Sequence, residues 1–197
     1  MTRQTTHRFP LSKEGKLPIT KIDAAVRQLE TAITLWFHDG DPVSICALSH
    51  AAHEILYRLS TNTRKRSTLL DAENVKPEFR EDFKKLIKEA PAFFKHAGKD
   101  PHETLFFTVK NAPHIFLDAV GMYNSLEFGA RPIFRVFQDW LWMTEPRFFM
   151  KPIKEVFGEG VDIEGIVADG KAAYFKAMVP VYIAQFAGVQ AASFGHK

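Results

Sequence analysis

Apolar residues recur at helical spacing over most of this chain. Ile22, Val26, Leu29, Ile33 and Trp36 lie three or four positions apart and share one face, which predicts a first helix. Thr20 with Asp23 three residues on makes a capping-box pattern at its start, and His38-Asp39-Gly40 ends it. Asp41-Pro42 puts an acceptor at the N-cap and proline at the first helical position of a second helix. That helix runs to about Leu59, with Ile45, Leu48, Ala52, Ile55, Leu56 and Leu59 on its core face. A third is expected from Pro77 to Ala90, with Phe79, Phe83, Leu86 and Ile87 inward. Pro91 should break or kink it, because proline has no N–H to give the preceding turn.

Farther on, Leu105 to Lys110 is ambiguous and fits an extended segment. A fourth helix runs from about Pro113 to Glu127, with Gly129 at the C′ position. Pro132 opens a fifth, carrying Ile133, Val136, Phe137, Trp140 and Leu141. Pro146 opens a short helix, Gly158 and Gly160 mark a loop, and another short helix starts near Asp162. A last helix begins at Lys171 and should kink at Pro180. Strand patterns are nearly absent and connections are short. The expected fold class is all-α, a helical bundle of about six or seven helices. Residues 1–19, punctuated by Pro10, Gly15 and Pro18, read as a flexible arm. Residues 20–197 read as a single helical domain, with a main bundle over 20–128 and a C-terminal helical extension over 130–197.

Composition changes this picture little. The chain's 197 residues suffice for a core without staples. Its 18 Phe against 4 Tyr favour rings in a core or an interface, since Phe carries no polar handle. A net charge of +3 does not by itself indicate nucleic acid. The one cysteine, Cys46, excludes an internal disulfide and suits a reducing, cytoplasmic setting. The polar N-terminal segment lacks the apolar stretch of a secretory signal. From Ala177 to Gly195 no residue is charged, but the stretch is rich in Ala and Gly and holds Pro180. A buried or oligomer-forming helix is expected there rather than a membrane span.

The candidate chemistry centres on helix two. Cys46, His50, His53 and Tyr57 are spaced i, i+4, i+7 and i+11. At 100° per residue they fall within roughly 60° of one another. Thiolate and imidazole ligate zinc, so Cys46, His50 and His53 are candidate ligands for a divalent metal, with His96 or His114 completing the set. Core packing along a helix seam accounts for the same stripe. His53-Glu54 and His102-Glu103 resemble metalloprotease openings, but Tyr57 and Phe106 stand where the second histidine is needed. Glycine-rich phosphate loops, a nucleophile elbow and an EF-hand loop are all missing.

A second constellation is Pro91-Ala92-Phe93-Phe94-Lys95-His96. With the helical architecture of residues 20–128, its terminal histidine resembles the R-[polar]-x-x-x-H element of the HEPN superfamily. Many members of that superfamily are RNA-cleaving toxins or defence proteins. The resemblance implies that His96 occupies the histidine position, in a homodimer cleft. It also implies that Pro91 and Ala92 stand where the arginine and its polar neighbour belong. Without that arginine no group is evident to stabilise a pentacovalent phosphate. Lys95 supplies a charge, one residue and about 100° away from His96 around the helix. The resemblance therefore implies either a degenerate ribonuclease or a non-cleaving member.

Two further features bear on partners. Arg58, Arg64, Lys65 and Arg66 are basic, as are Lys84, Lys85 and Lys88 on helix three. If these faces converge they make a phosphate-binding patch that RNA could use, although interleaved acids dilute it. The run Phe134, Phe137, Trp140, Trp142, Phe148 and Phe149 makes the C-terminal half apolar on several sides, which suits a core, an interface or a ligand pocket. Three function classes thus stay open. The first is a binding protein for a partner or small ligand, acting as a homo-oligomer. The others are a HEPN-like ribonuclease and a metal-binding helical protein.

Overall fold

The computed structural model describes residues 16–61, 67, 76–96, 101–149 and 151–194. Thr20 caps the first helix, α1 (Lys21–Phe37): its hydroxyl accepts from the Asp23 N–H at 3.2 Å, while Asp23 accepts from the Thr20 N–H at 3.0 Å. Asp39 then turns left-handed at φ 51°, and the Gly40 N–H closes on the Leu35 carbonyl at 2.8 Å. A Cβ at Gly40 would lie 2.9 Å from a Leu35 methyl and 3.1 Å from the Leu35 carbonyl oxygen, so a side chain there would crowd the return. Asp41 accepts from the Ser44 N–H at 2.7 Å and starts α2 (Pro42–Ser60). The two helices form an antiparallel-type hairpin across a turn of four residues.

A 3-10 turn (Pro77–Phe79) leads into α3 (Arg80–Lys95). Another (Val109–Asn111) leads into α4 (Ala112–Ser125). Next come α5 (Pro132–Thr144), a 3-10 turn (Pro146–Phe148), α6 (Ile153–Phe157), α7 (Ile163–Asp169) and α8 (Lys171–Phe194). Among the described residues there is no strand, and the all-α bundle is as expected. The eight α-helices exceed the six or seven anticipated. The helix expected after Pro146 resolves into a 3-10 turn and then α6. None of the described helices is long and apolar enough to cross a membrane.

Local expectations fail at four places, each for a physical reason. The α3 helix runs through Pro91 to Lys95, at the cost of the hydrogen bond that the Ile87 carbonyl would otherwise accept. Leu59, expected on the core face of α2, is 38% exposed in the last turn of that helix. Phe79, expected inward, is 57% exposed, because the chain there is a 3-10 turn ahead of the helix proper. Glu127 (φ 57°), rather than Gly129, takes the left-handed position after α4, and Gly129 follows with φ 92°.

The core forms where α1, α2, α4 and α5 meet. Leu29, Ile33, Phe37, Ile45, Leu56 and Phe116 are fully or almost fully buried there. It is continuous across residue 128: Phe137 of α5 meets Phe116 of α4 edge-on at 5.4 Å and Trp36 of α1 at 6.0 Å. Edge-to-face aromatic pairs add ~0.5–1.5 kcal/mol each beyond their buried area. Phe175 brings α8 into the same cluster, 4.8 Å from Phe37. Two polar clamps hold α8 in place. Lys171 pairs with Asp39 at 2.6 Å and lies 4.5 Å over the Trp36 ring. Beyond Pro180, the Tyr182 hydroxyl donates to Asp139, which is 1% exposed and pairs with Arg135 at 2.9 Å.

Candidate functional site

The α3 helix stands apart from this core. Its described residues contribute nothing to the central cluster, and only Pro91 among them is buried. Where α3 faces α2 two cavities open, of about 570 Å³ and about 390 Å³. Both volumes are in the ~300–1,000 Å³ range of small-molecule sites.

The larger cavity is a cleft between the two helices. From α2 come His50, His53, Glu54, Tyr57 and Arg58. From α3 come Lys84, Ile87, Lys88, Pro91, Ala92 and Lys95, with His96 at the helix end. Lys84, Lys88 and Lys95 follow i, i+4 and i+11, so one stripe of α3 carries all three ammonium groups. Arg58 faces them from α2. The single carboxylate on the walls is Glu54. Among the described residues no carboxylate lies within ion-pair distance of Arg58, Lys88 or Lys95, while Lys84 reaches Glu81 at 3.1 Å. A concave surface with this imbalance focuses positive potential.

The floor of the cleft is fixed from the far side. His53 is 2% exposed, and its Nε2 donates to Asp118 of α4 at 2.7 Å. The buried Ser67 hydroxyl donates to the same carboxylate oxygen at 2.5 Å. This bond commits the ring to the α2–α4 seam. His50 lies in a different environment: burial, with smaller contributions from His53 and Lys95, pushes its pKa down to about 4. Its imidazole is therefore neutral at neutral pH. His96 caps α3, its N–H reaching the Ala92 carbonyl at 3.1 Å, and its ring is exposed at the mouth of the cleft.

The smaller cavity lies beside the cleft, and Cys46, Ile87, Leu105, Phe106, Phe107 and Ile115 line it. Residues 105–108 form its outer wall without regular structure. Burial pushes the Cys46 thiol up to about 11, so it stays protonated and is neither a nucleophile nor a ready thiolate ligand at neutral pH.

The structure thus gathers His50, His53, Tyr57, Lys95 and His96 in one cleft and sends Cys46 to the other cavity. For metal binding, the two proposed completing ligands part company: His96 opens on the cleft and His114 on the apolar cavity. Among the described residues no three His, Cys, Asp or Glu side chains come together as a metal-holding group. Of the basic residues singled out in the sequence, Arg58, Lys84 and Lys88 converge. Lys85 points away, 3.7 Å from Asp82. Arg64, Lys65 and Arg66 lie outside the described residues. Asp118 was missed, although its spacing was informative. It lies three residues after the buried Ile115 and four before the buried Met122, so it shares their inward face and needs a partner.

No family model, curated protein or solved structure matches the chain.

The His50 environment sets a pH dependence. The unfolded chain takes up a proton near 6.5, whereas the folded chain resists until about 4. Stability should therefore fall as pH drops from about 6.5 towards about 4 and level off below, by ~1–3 kcal/mol after solvent screening in the open cleft. Urea titrations at a series of pH values check this, and His50→Gln should flatten the dependence over that window.

Proposed function

We propose that this chain is a binding protein for a phosphate-bearing ligand held between α2 and α3. The observation that carries the reading is the wall of the 570 Å³ cleft, where Arg58, Lys84, Lys88 and Lys95 face one carboxylate, Glu54. A phosphate dianion supplies the charge those side chains lack and offers three acceptor oxygens to their donors. Tyr57, and the ring of His96 at the mouth, add polar contacts without adding negative charge. Titration calorimetry with inorganic phosphate should show binding that weakens as salt rises, because exposed charges are screened. Lys88→Ala combined with Lys95→Ala should weaken it at least about tenfold, ~1.4 kcal/mol, without changing the melting temperature. Unaltered phosphate affinity in that double variant, or no phosphate binding by the parent protein, would sink the proposal.

The ribonuclease reading has one observation in its favour: His96 opens on the same cationic cleft as Lys95, His50 and Arg58. An imidazole there would exchange a proton with a ribose hydroxyl while the lysines hold the phosphate. If that reading holds, purified protein cleaves single-stranded RNA and His96→Ala lowers the rate by about two orders of magnitude or more. Cleavage at an unchanged rate in that variant defeats it.

We further propose that the protein acts as a homo-oligomer through α8. Val181, 51% exposed, shares one face of α8 with the exposed Ala177, Ala184 and Gly188, and Ile183, 52% exposed, stands on the other side of a helix without charge from Ala177 to its end. Apolar side chains at that density on one helix gain most by pairing with a second copy. Native mass spectrometry should record a dimer, and Val181→Asp with Ile183→Asp should leave monomers. A monomeric parent protein at micromolar concentration would contradict this.

A further inference from the structure

The two cavities under α3 share two wall residues, His50 and Ile87. They differ sharply in chemistry. On one side of His50 the walls carry Arg58, Lys84, Lys88 and Lys95. On the other, Leu105, Phe107 and Ile115 enclose an apolar space. Its deep polar groups are already spoken for: the Ser49 hydroxyl donates to the Cys46 carbonyl at 3.0 Å, and the Cys46 thiol is buried. Thr108, Asn111, His114 and Glu89 line the cavity too, but each is exposed and belongs to its rim. Phe106, on the outer wall, is 97% exposed, an apolar ring left in water at the mouth.

A nucleobase seated deep in such a space would set ring nitrogens and exocyclic groups against Leu105, Phe107 and Ile115, away from the polar rim, which is costly. A hydrocarbon chain has no such groups, and it would cover Phe106 as it entered. His50 stands where head gives way to tail; as a neutral imidazole it can meet either a phosphate oxygen or a methylene without stranding a charge. We infer that the ligand is a single-tailed amphiphile, with its phosphate head in the cationic cleft and its hydrocarbon tail in the cavity beside Cys46. This rests on the phosphate-binding reading given above and specifies the rest of the molecule.

The test compares four probes on the full chain: inorganic phosphate, decyl phosphate below its micelle concentration, decanol and adenosine monophosphate. Decyl phosphate should bind at least roughly tenfold tighter than inorganic phosphate, since tail burial adds apolar transfer energy. Ala90→Phe, which fills the apolar cavity from α3, should remove that advantage and leave inorganic phosphate binding intact. A second readout needs no variant: hexyl phosphate should bind more weakly than decyl phosphate, because it buries fewer methylenes. Equal affinity for the two phosphates overturns the tail and leaves the phosphate reading standing. Decanol binding as tightly as decyl phosphate overturns both, because the head then contributes nothing. Tighter binding of adenosine monophosphate places a base in the cavity and overturns the inference. So does preferential sedimentation with phosphatidic acid vesicles over uptake of the free amphiphile, since the head is then read at a lipid surface.

Discussion

The bond from His53 to Asp118 holds together more than two side chains. It ties α2 to α4 at the one point where their seam is polar, with the Ser67 hydroxyl on the same carboxylate oxygen. Above and below it on α2, Ser49, Ala52 and Leu56 are buried and the helix is otherwise committed to its neighbours. The imidazole cannot turn toward the cleft without leaving a buried carboxylate short of a donor, which costs several kcal/mol. Its position therefore sets the depth of the cleft floor, and through α2 it sets the distance at which Arg58 faces the lysines of α3.

The same helix carries two incompatible surfaces. One side of α2 packs against α1 and α4, and Ile45, Ala52 and Leu56 disappear into the core. The other presents His50, Tyr57 and Arg58 to α3. Helix α3 answers with Lys84, Lys88 and Lys95 beside Ile87, Pro91 and Ala92. Like charges on facing helices repel, and that repulsion works against closing the space between them.

Much of the bundle was legible because its starts and stops are local chemistry. Thr20 with Asp23, and Asp41 with Pro42, can be read from a handful of residues, and both caps form as their spacing demands. The apolar faces of α1 and α5 were equally plain. The end of α3 was placed too early, at Ala90, because tertiary support for a helix can outweigh the one hydrogen bond lost at Pro91 and that support cannot be seen locally. At the site, the stripe from Cys46 to Tyr57 was visible as a pattern, but its division between two cavities was not. That depends on where α3 and residues 105–108 lie, and neither position follows from helical periodicity. Lys84 and Lys88 looked diluted by their acidic neighbours. The dilution is weaker in space than in sequence: Glu81 pairs with Lys84 and Asp82 with Lys85, but both carboxylates are 79% exposed and neither lines the cleft.

Pro91 bears on how the cleft behaves in time. It removes one rung from the hydrogen-bond ladder of α3, leaving the Ile87 carbonyl without its helical donor. The helix so weakened is also the one with the smallest stake in the core. Native proteins open first where few apolar contacts and few backbone bonds must be given up. Among the described helices, the roof of the cleft should accordingly trade its amide protons with solvent more readily than α1, α2, α4 and α5 do. If a ligand binds as proposed, α3 is the wall that can yield to it.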